Sequence, residues 1–94
     1  MCEGVIDKLL AKGKEGEFLL KNYVVYVIPM VNIDGVVFGH YRTNLSGKDL
    51  NRKWNVTEKE VSCPEVVAIK NFIQEVSKQR DIRFILDLHG HSKK

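Results

Sequence analysis

The chain has 94 residues, 44% hydrophobic and 29% charged, the range of one small globular domain, which excludes a low-complexity or disordered segment. Its net charge of +3 comes with no basic stripe interleaved with aromatics, which excludes nucleic-acid binding, and no apolar run reaches the length of a membrane span. The two cysteines, Cys2 and Cys63, stand far apart outside any Cys-x-x-Cys spacing, which excludes a disulfide scaffold and points to reduced, inert thiols in a cytosolic protein.

The first segment, MCEGVIDKLLAKG, carries acids and lacks the basic leader and apolar core of a signal peptide. Apolar residues at Val5, Ile6, Leu9 and Leu10 predict the tail of a helix over Val5 to Lys12 that stops at Gly13. Glu17 to Asn22 adds about one more turn. Tyr23 to Met30 (YVVYVIPM) is a nearly continuous β-branched and aromatic run, expected to be a buried strand that ends at Pro29. From Val31 to about Pro64 neither a helical nor a strand period is sustained. Phe38, Tyr41, Leu50 and Trp54 can all pack, so this reads as a functional loop.

Pro64 opens a strong helix with Val66, Ile69, Ile73 and Val76 on one stripe, Phe72 beside it, and Lys70, Glu75 and Lys78 facing water. Ser62 is the expected N-cap, with Glu65 completing a capping box. Arg83 to Leu88 (RFILDL) reads as a second buried strand. Strand, loop, helix and strand in that order predict a right-handed βαβ crossover, hence an α/β fold with a mixed, mostly parallel sheet and flanking helices. The residues that follow Met30 and Leu88 would then lie at the carboxyl ends of the two strands, where open α/β sheets bind ligands.

The loop concentrates Arg42, Lys48, Arg52 and Lys53 around Asp49, a local positive excess suited to an anionic substrate. A guanidinium offers a planar fork that matches a carboxylate and stays charged when buried. Asn51 with Arg52 could grip a terminal carboxylate, leaving Arg42 to stabilise charge developing on a carbonyl oxygen. Taken alone, the same loop also reads as a solvated charged surface. A lone histidine after a strand, as His89 is when taken by itself, is more often a hydrogen-bonded core residue than a metal ligand. Asp87, His89 and His91 alternate, so a continuing strand would place them on one face, and a carboxylate beside a ligating imidazole is the usual way to fix its tautomer. The remaining aromatics, Tyr23, Tyr26, Phe72 and Phe84, read as core.

The ordered set PMVNIDG, GHYR, SGKDLNRKW and DLHGHS resembles the zinc metallocarboxypeptidases, most closely their cytosolic branch that removes glutamates from protein tails such as those of tubulin. The resemblance runs from Val5 onward and implies an α/β zinc-peptidase fold, with residues 1–94 forming part of the catalytic domain. It implies that His89 is the third zinc ligand and that Arg42 stabilises the oxyanion. By the same likeness Asn51 and Arg52 hold the substrate's free carboxylate, His91 lines the substrate pocket, and Asp49 orients another zinc-bound histidine. The family's His-x-x-Glu ligand pair precedes the first helix and its catalytic glutamate follows His91, so neither is expected within these residues. His40 stands in no His-x-x-Glu pattern. Ile33 occupies a position where the family usually has proline.

With one imidazole against the roughly three protein ligands of a catalytic zinc site, weak zinc binding and negligible peptidase activity are expected of this chain by itself. Three other readings stay open on sequence. An aspartoacylase-like deacylase shares a comparable Asp-x-Asn-Arg cluster. Metal-dependent phosphoesterases and amidohydrolases also place His-x-His at a strand end. A non-catalytic binder of acidic C-terminal tails would need only Arg42, Asn51 and Arg52.

Overall fold

The chain opens with a helical hairpin. The computed structural model describes residues 1–90. Helix α1 (Cys2–Leu10) and helix α2 (Lys14–Asn22) pack against each other across a short connection. The half-buried positions of α1 are Cys2, Ile6 and Leu9, while Val5 and Leu10 are exposed. The inner stripe is therefore rotated from the expected one, and α2 starts earlier than Glu17. The cause is Gly16: a Cβ there would lie 2.7 Å from the Leu9 carbonyl oxygen and 3.1 Å from that of Lys8. Only a glycine lets α2 approach the end of α1 so closely. Lys8 and Glu15 pair at 2.9 Å on the outside, raising the lysine pKa and lowering that of the carboxyl through their mutual hydrogen bond and charge.

The chain divides into two units, Met1–Pro29 with the stretch that begins at Ile85, and Met30–Phe84. In the second, the short helix α3 (Ile33–Val37) starts at Asn32, whose Oδ1 accepts from the Gly35 amide at 3.2 Å. A 3-10 turn covers Leu50–Arg52, and helix α4 spans Pro64–Gln79. The core joins Leu50, Cys63 and Val66 with Val56 against them. On α4, Val66 is fully buried and Ile69, Ile73 and Val76 are half-buried, which is the expected stripe.

Three expectations are corrected in this unit. The α4 cap residue is Cys63, which makes no side-chain cap bond. Ser62 instead donates its hydroxyl to Glu60 Oε1 at 2.6 Å, and Glu65 Oε2 accepts from Asn44 at 3.1 Å. With Pro64 supplying no amide, less is gained from a capping box than from these partners. Lys70 does not simply face water: its Nζ donates to the Val56 carbonyl at 2.6 Å and reaches that of Trp54 at 3.4 Å. Finally, the stretch from Val31 to Pro64 is not wholly irregular, since α3 and the 3-10 turn lie within it.

The two apolar runs assigned to parallel strands form no β-ladder among the described residues, where pairing is limited to a bridge between Thr43 and Asp49. Val24 is 54% exposed and Leu86 68%. A parallel strand is stabilised by neighbours on its edges and helices on both faces. Apolar content signals the need for that cover without providing it. The helix of the expected crossover is therefore present, and its sheet is not seen.

Candidate functional site

Most of the chemistry-bearing residues singled out in the sequence lie between α3 and α4, and the backbone there is shaped by two side-chain amides. Asn32 caps α3 and also donates from Nδ2 to the Thr43 carbonyl at 3.0 Å. Gly35 sits between them: a Cβ would come within 2.5 Å of the Thr43 oxygen and closer still to the Asn32 side chain. Gly39 and Gly47, with φ of +74° and +69°, let the chain reverse on either side of the segment Tyr41–Ser46.

The Thr43–Asp49 bridge closes this reversal and sets Asp49 beside Arg42. Arg42 Nη1 lies 3.6 Å from Asp49 Oδ2, and the guanidinium stands 5.3 Å from the Tyr41 ring centre, a cation–π distance. The other carboxylate oxygen of Asp49 accepts from the Asn51 amide at 3.0 Å, starting the 3-10 turn. Within that turn the Arg52 amide donates to the Asp49 carbonyl at 3.0 Å, and Arg52 Nη1 is 3.5 Å from the Asn51 carbonyl oxygen. Asp49 thus meets the Arg42 side chain and the main-chain amide of Asn51 with its carboxylate, and the main-chain amide of Arg52 with its carbonyl, while the Arg52 guanidinium lies against the Asn51 carbonyl oxygen. This arrangement keeps cationic and amide donors at the surface, where an anion can reach them.

Sequence reasoning missed Asn44. This residue is 2% exposed and is the buried polar side chain among the described residues. The signal was available in TNLSGK: an asparagine three residues before a glycine is a turn signature with a mechanism, since its side chain can accept from amides further along the chain. His40 Nδ1 lies 3.2 Å from the Asn44 carbonyl oxygen, a structural contact that gives this histidine a role apart from metal binding.

In the other unit, His89 Nδ1 lies 3.4 Å from Asp87 Oδ2, both side chains being more than half exposed. A carboxylate on one ring nitrogen suits a histidine that presents the other to a metal. His89 supplies one donor, and among the described residues no three His, Cys, Asp or Glu side chains gather into a metal site. The donor chemistry fits one place in a zinc coordination shell, with the remaining places to be filled by other groups. His91 lies outside the described residues. No described helix is long and apolar enough to cross a membrane.

Comparison with known proteins gives a consistent family signal. A family described as zinc carboxypeptidase matches residues 1–94. The chain is 40% identical over its whole length to cytosolic carboxypeptidase 3 of Bos taurus, covering 9% of that protein. It is 37% identical to cytosolic carboxypeptidase 2 of Homo sapiens, again over all of this chain and 10% of the relative. Cytosolic carboxypeptidase 6 of Caenorhabditis elegans is 38% identical over 96 aligned positions, which cover 21% of it. The chain thus spans 9% to 21% of the length of these curated relatives. No solved structure matches it.

Proposed function

The chain belongs to the zinc carboxypeptidase family, and from that premise we propose that it forms part of a catalytic domain that hydrolyses the C-terminal peptide bond of peptide or protein substrates. The observation that supports this reading is Asp49, which pairs with the Arg42 side chain and holds the main-chain amides of Asn51 and Arg52, bringing the three residues into one short turn. In this reading the Arg52 fork and the Asn51 amide grip the free carboxylate of the last residue. Arg42, aligned by Asp49, stabilises the negative charge that develops on the scissile carbonyl oxygen. The metal bound in such a domain supplies an acidified water as the nucleophile.

His89 contributes one ligand, its ring set by Asp87. Asp49 orients a further metal-bound histidine through lone pairs left over from its contacts with Arg42 and Asn51, since a carboxylate accepts about four hydrogen bonds. His91 lines the substrate pocket. The runs at 23–30 and 83–88 become strands of a mostly parallel sheet once flanked by further elements of the domain. Acidic tails such as glutamylated tubulin are the substrates best matched to a cationic cluster, and the cytosol is the compartment where they are met.

The test uses two peptides of one glutamate-rich sequence, one ending in a free acid and one in an amide, titrated into the 94-residue chain while the emission of its single tryptophan, Trp54, is followed. The free acid should bind about tenfold more tightly, the worth of one charge-assisted bond, and Arg52→Ala should abolish the preference. Equal affinities would remove the carboxylate grip and the peptidase reading with it. Added zinc should give negligible hydrolysis, because one imidazole is too few ligands; robust turnover would show that the chain holds every group the reaction needs.

A further inference from the structure

Arg42 and the Asn51–Arg52 pair are nine and ten residues apart in sequence, so a common grip on substrate requires something to fix the intervening turn. We propose that Asn44 is the residue that positions this cluster, holding it in register with the N-terminus of α4; the role rests on the carboxylate-gripping function proposed above.

The side chain of Asn44 faces two ways. Its Oδ1 accepts from the amides of Ser46 and Lys48, each at 3.0 Å. Its main chain closes the same turn, with the Asn44 amide donating to the Lys48 carbonyl at 3.0 Å and the Gly47 amide to the Asn44 carbonyl at 3.0 Å. The Thr43–Asp49 bridge lies immediately outside these bonds. Arg42 precedes the bridge by one residue and Asn51 follows it by two, so the geometry of this turn sets how far the two donors stand apart.

The other end of the side chain fixes where the turn sits. Nδ2 donates to the Ser62 carbonyl at 2.8 Å and to Glu65 Oε2 at 3.1 Å, ahead of and within the first turn of α4. An asparagine amide has two acceptor lone pairs and two donor hydrogens. All four are used here, in a side chain only 2% exposed. No other residue type supplies two acceptances and two donations from so short a stem. The four side-chain hydrogen bonds of Asn44 go to Ser46, Lys48, Ser62 and Glu65, none of them a gripping residue, so it acts through the turn.

The acid-versus-amide titration on the 94-residue chain tests this with three variants. Asn44→Ala should lower free-acid affinity roughly tenfold and leave amide affinity unchanged, a modest loss beside the ~100-fold that a misplacement of about 1 Å can cause. Asn44→Asp keeps the acceptor for the turn but sets a carboxylate against Glu65 and the Ser62 carbonyl, and it should lose the preference as well. Adding Glu65→Gln to Asn44→Asp restores a donor across that contact and should recover the preference to within about threefold of the parent.

A purely structural role would weaken acid and amide binding together and restore both together in the double variant. Either that result or an undiminished preference in Asn44→Ala overturns the proposal. Should Asn44→Ala fail to fold, Glu65→Ala, which removes only one of the four bonds, should reduce the preference about threefold, and an unchanged preference there also overturns it. Absence of any preference in the parent chain is a separate result: it defeats the carboxylate-grip function, and this role with it.

Discussion

The loop between α3 and α4 and the apolar runs at residues 23–30 and 83–88 exchange the roles their compositions suggest. The loop has no periodicity, yet Asn32, Asn44 and Asp49 tie its backbone together with bonds of 2.8 to 3.2 Å, and Lys70 fastens its far end at 2.6 Å. The runs have the strongest β pattern in the chain and form no ladder among the described residues. Polar side chains can satisfy a backbone locally, whereas an apolar strand depends on surfaces contributed from elsewhere. Order in this chain follows hydrogen-bond closure more than hydrophobicity.

The strongest attack on that contrast is Gly35→Ala. The added Cβ collides with the Asn32 side chain and the Thr43 carbonyl, so α3 should come away from the 43–49 turn at a cost of about 3 kcal/mol, read as a lowered urea midpoint and lost amide protection at His40. If protection survives, the side-chain amides do not hold the loop.

A smaller effect is expected from Lys70→Met, which keeps the stem but removes the donor to the Val56 and Trp54 carbonyls. The loss should be about 1–2 kcal/mol, with Trp54 emission shifted as its backbone loosens. An unshifted emission would mean that the core contact of Val56 alone positions this segment.

The smallest effect sharpens the comparison through pH. Ser62 donates both its hydroxyl and its amide to Glu60, holding that carboxyl below its usual value of 4.5, with Lys53 and Lys48 adding weaker attraction. A carboxyl whose folded pKa is depressed contributes stability that is present above the unfolded value and lost as pH falls through the folded one. Stability should therefore be level near neutrality and decline slightly once pH drops below 4.5. Ser62→Ala removes the hydroxyl and keeps the amide, so it should reduce this decline without abolishing it. Equal acid slopes for both proteins would show that the bond makes no contribution.

Some features were open to reading from the sequence. Helix α4 was, because Pro64 marks its start and its apolar stripe repeats at helical spacing. The residues of the cationic cluster were also identifiable, since Arg42, Asp49, Asn51 and Arg52 are chemically distinctive in a short span. The pairing of Arg42 with Asp49 was not, because it depends on the bridge that closes the turn. The capping box at Ser62 and Glu65 fits the local rule and fails because Glu60 and Asn44 compete for the same groups.

By itself the sequence determined which side chains are available, the family to which they belong, and the helices whose spacing announces them. Tertiary structure alone decided the partners of Asn44, Glu65 and Lys70. Asn44 reaches across 18 residues to Ser62 and 21 to Glu65, and Lys70 across 14 to Val56. Periodicity reports which face of an element is apolar. A hydrogen bond between distant residues forms only when the returning chain brings donor and acceptor within about 3 Å, and no local pattern encodes that approach.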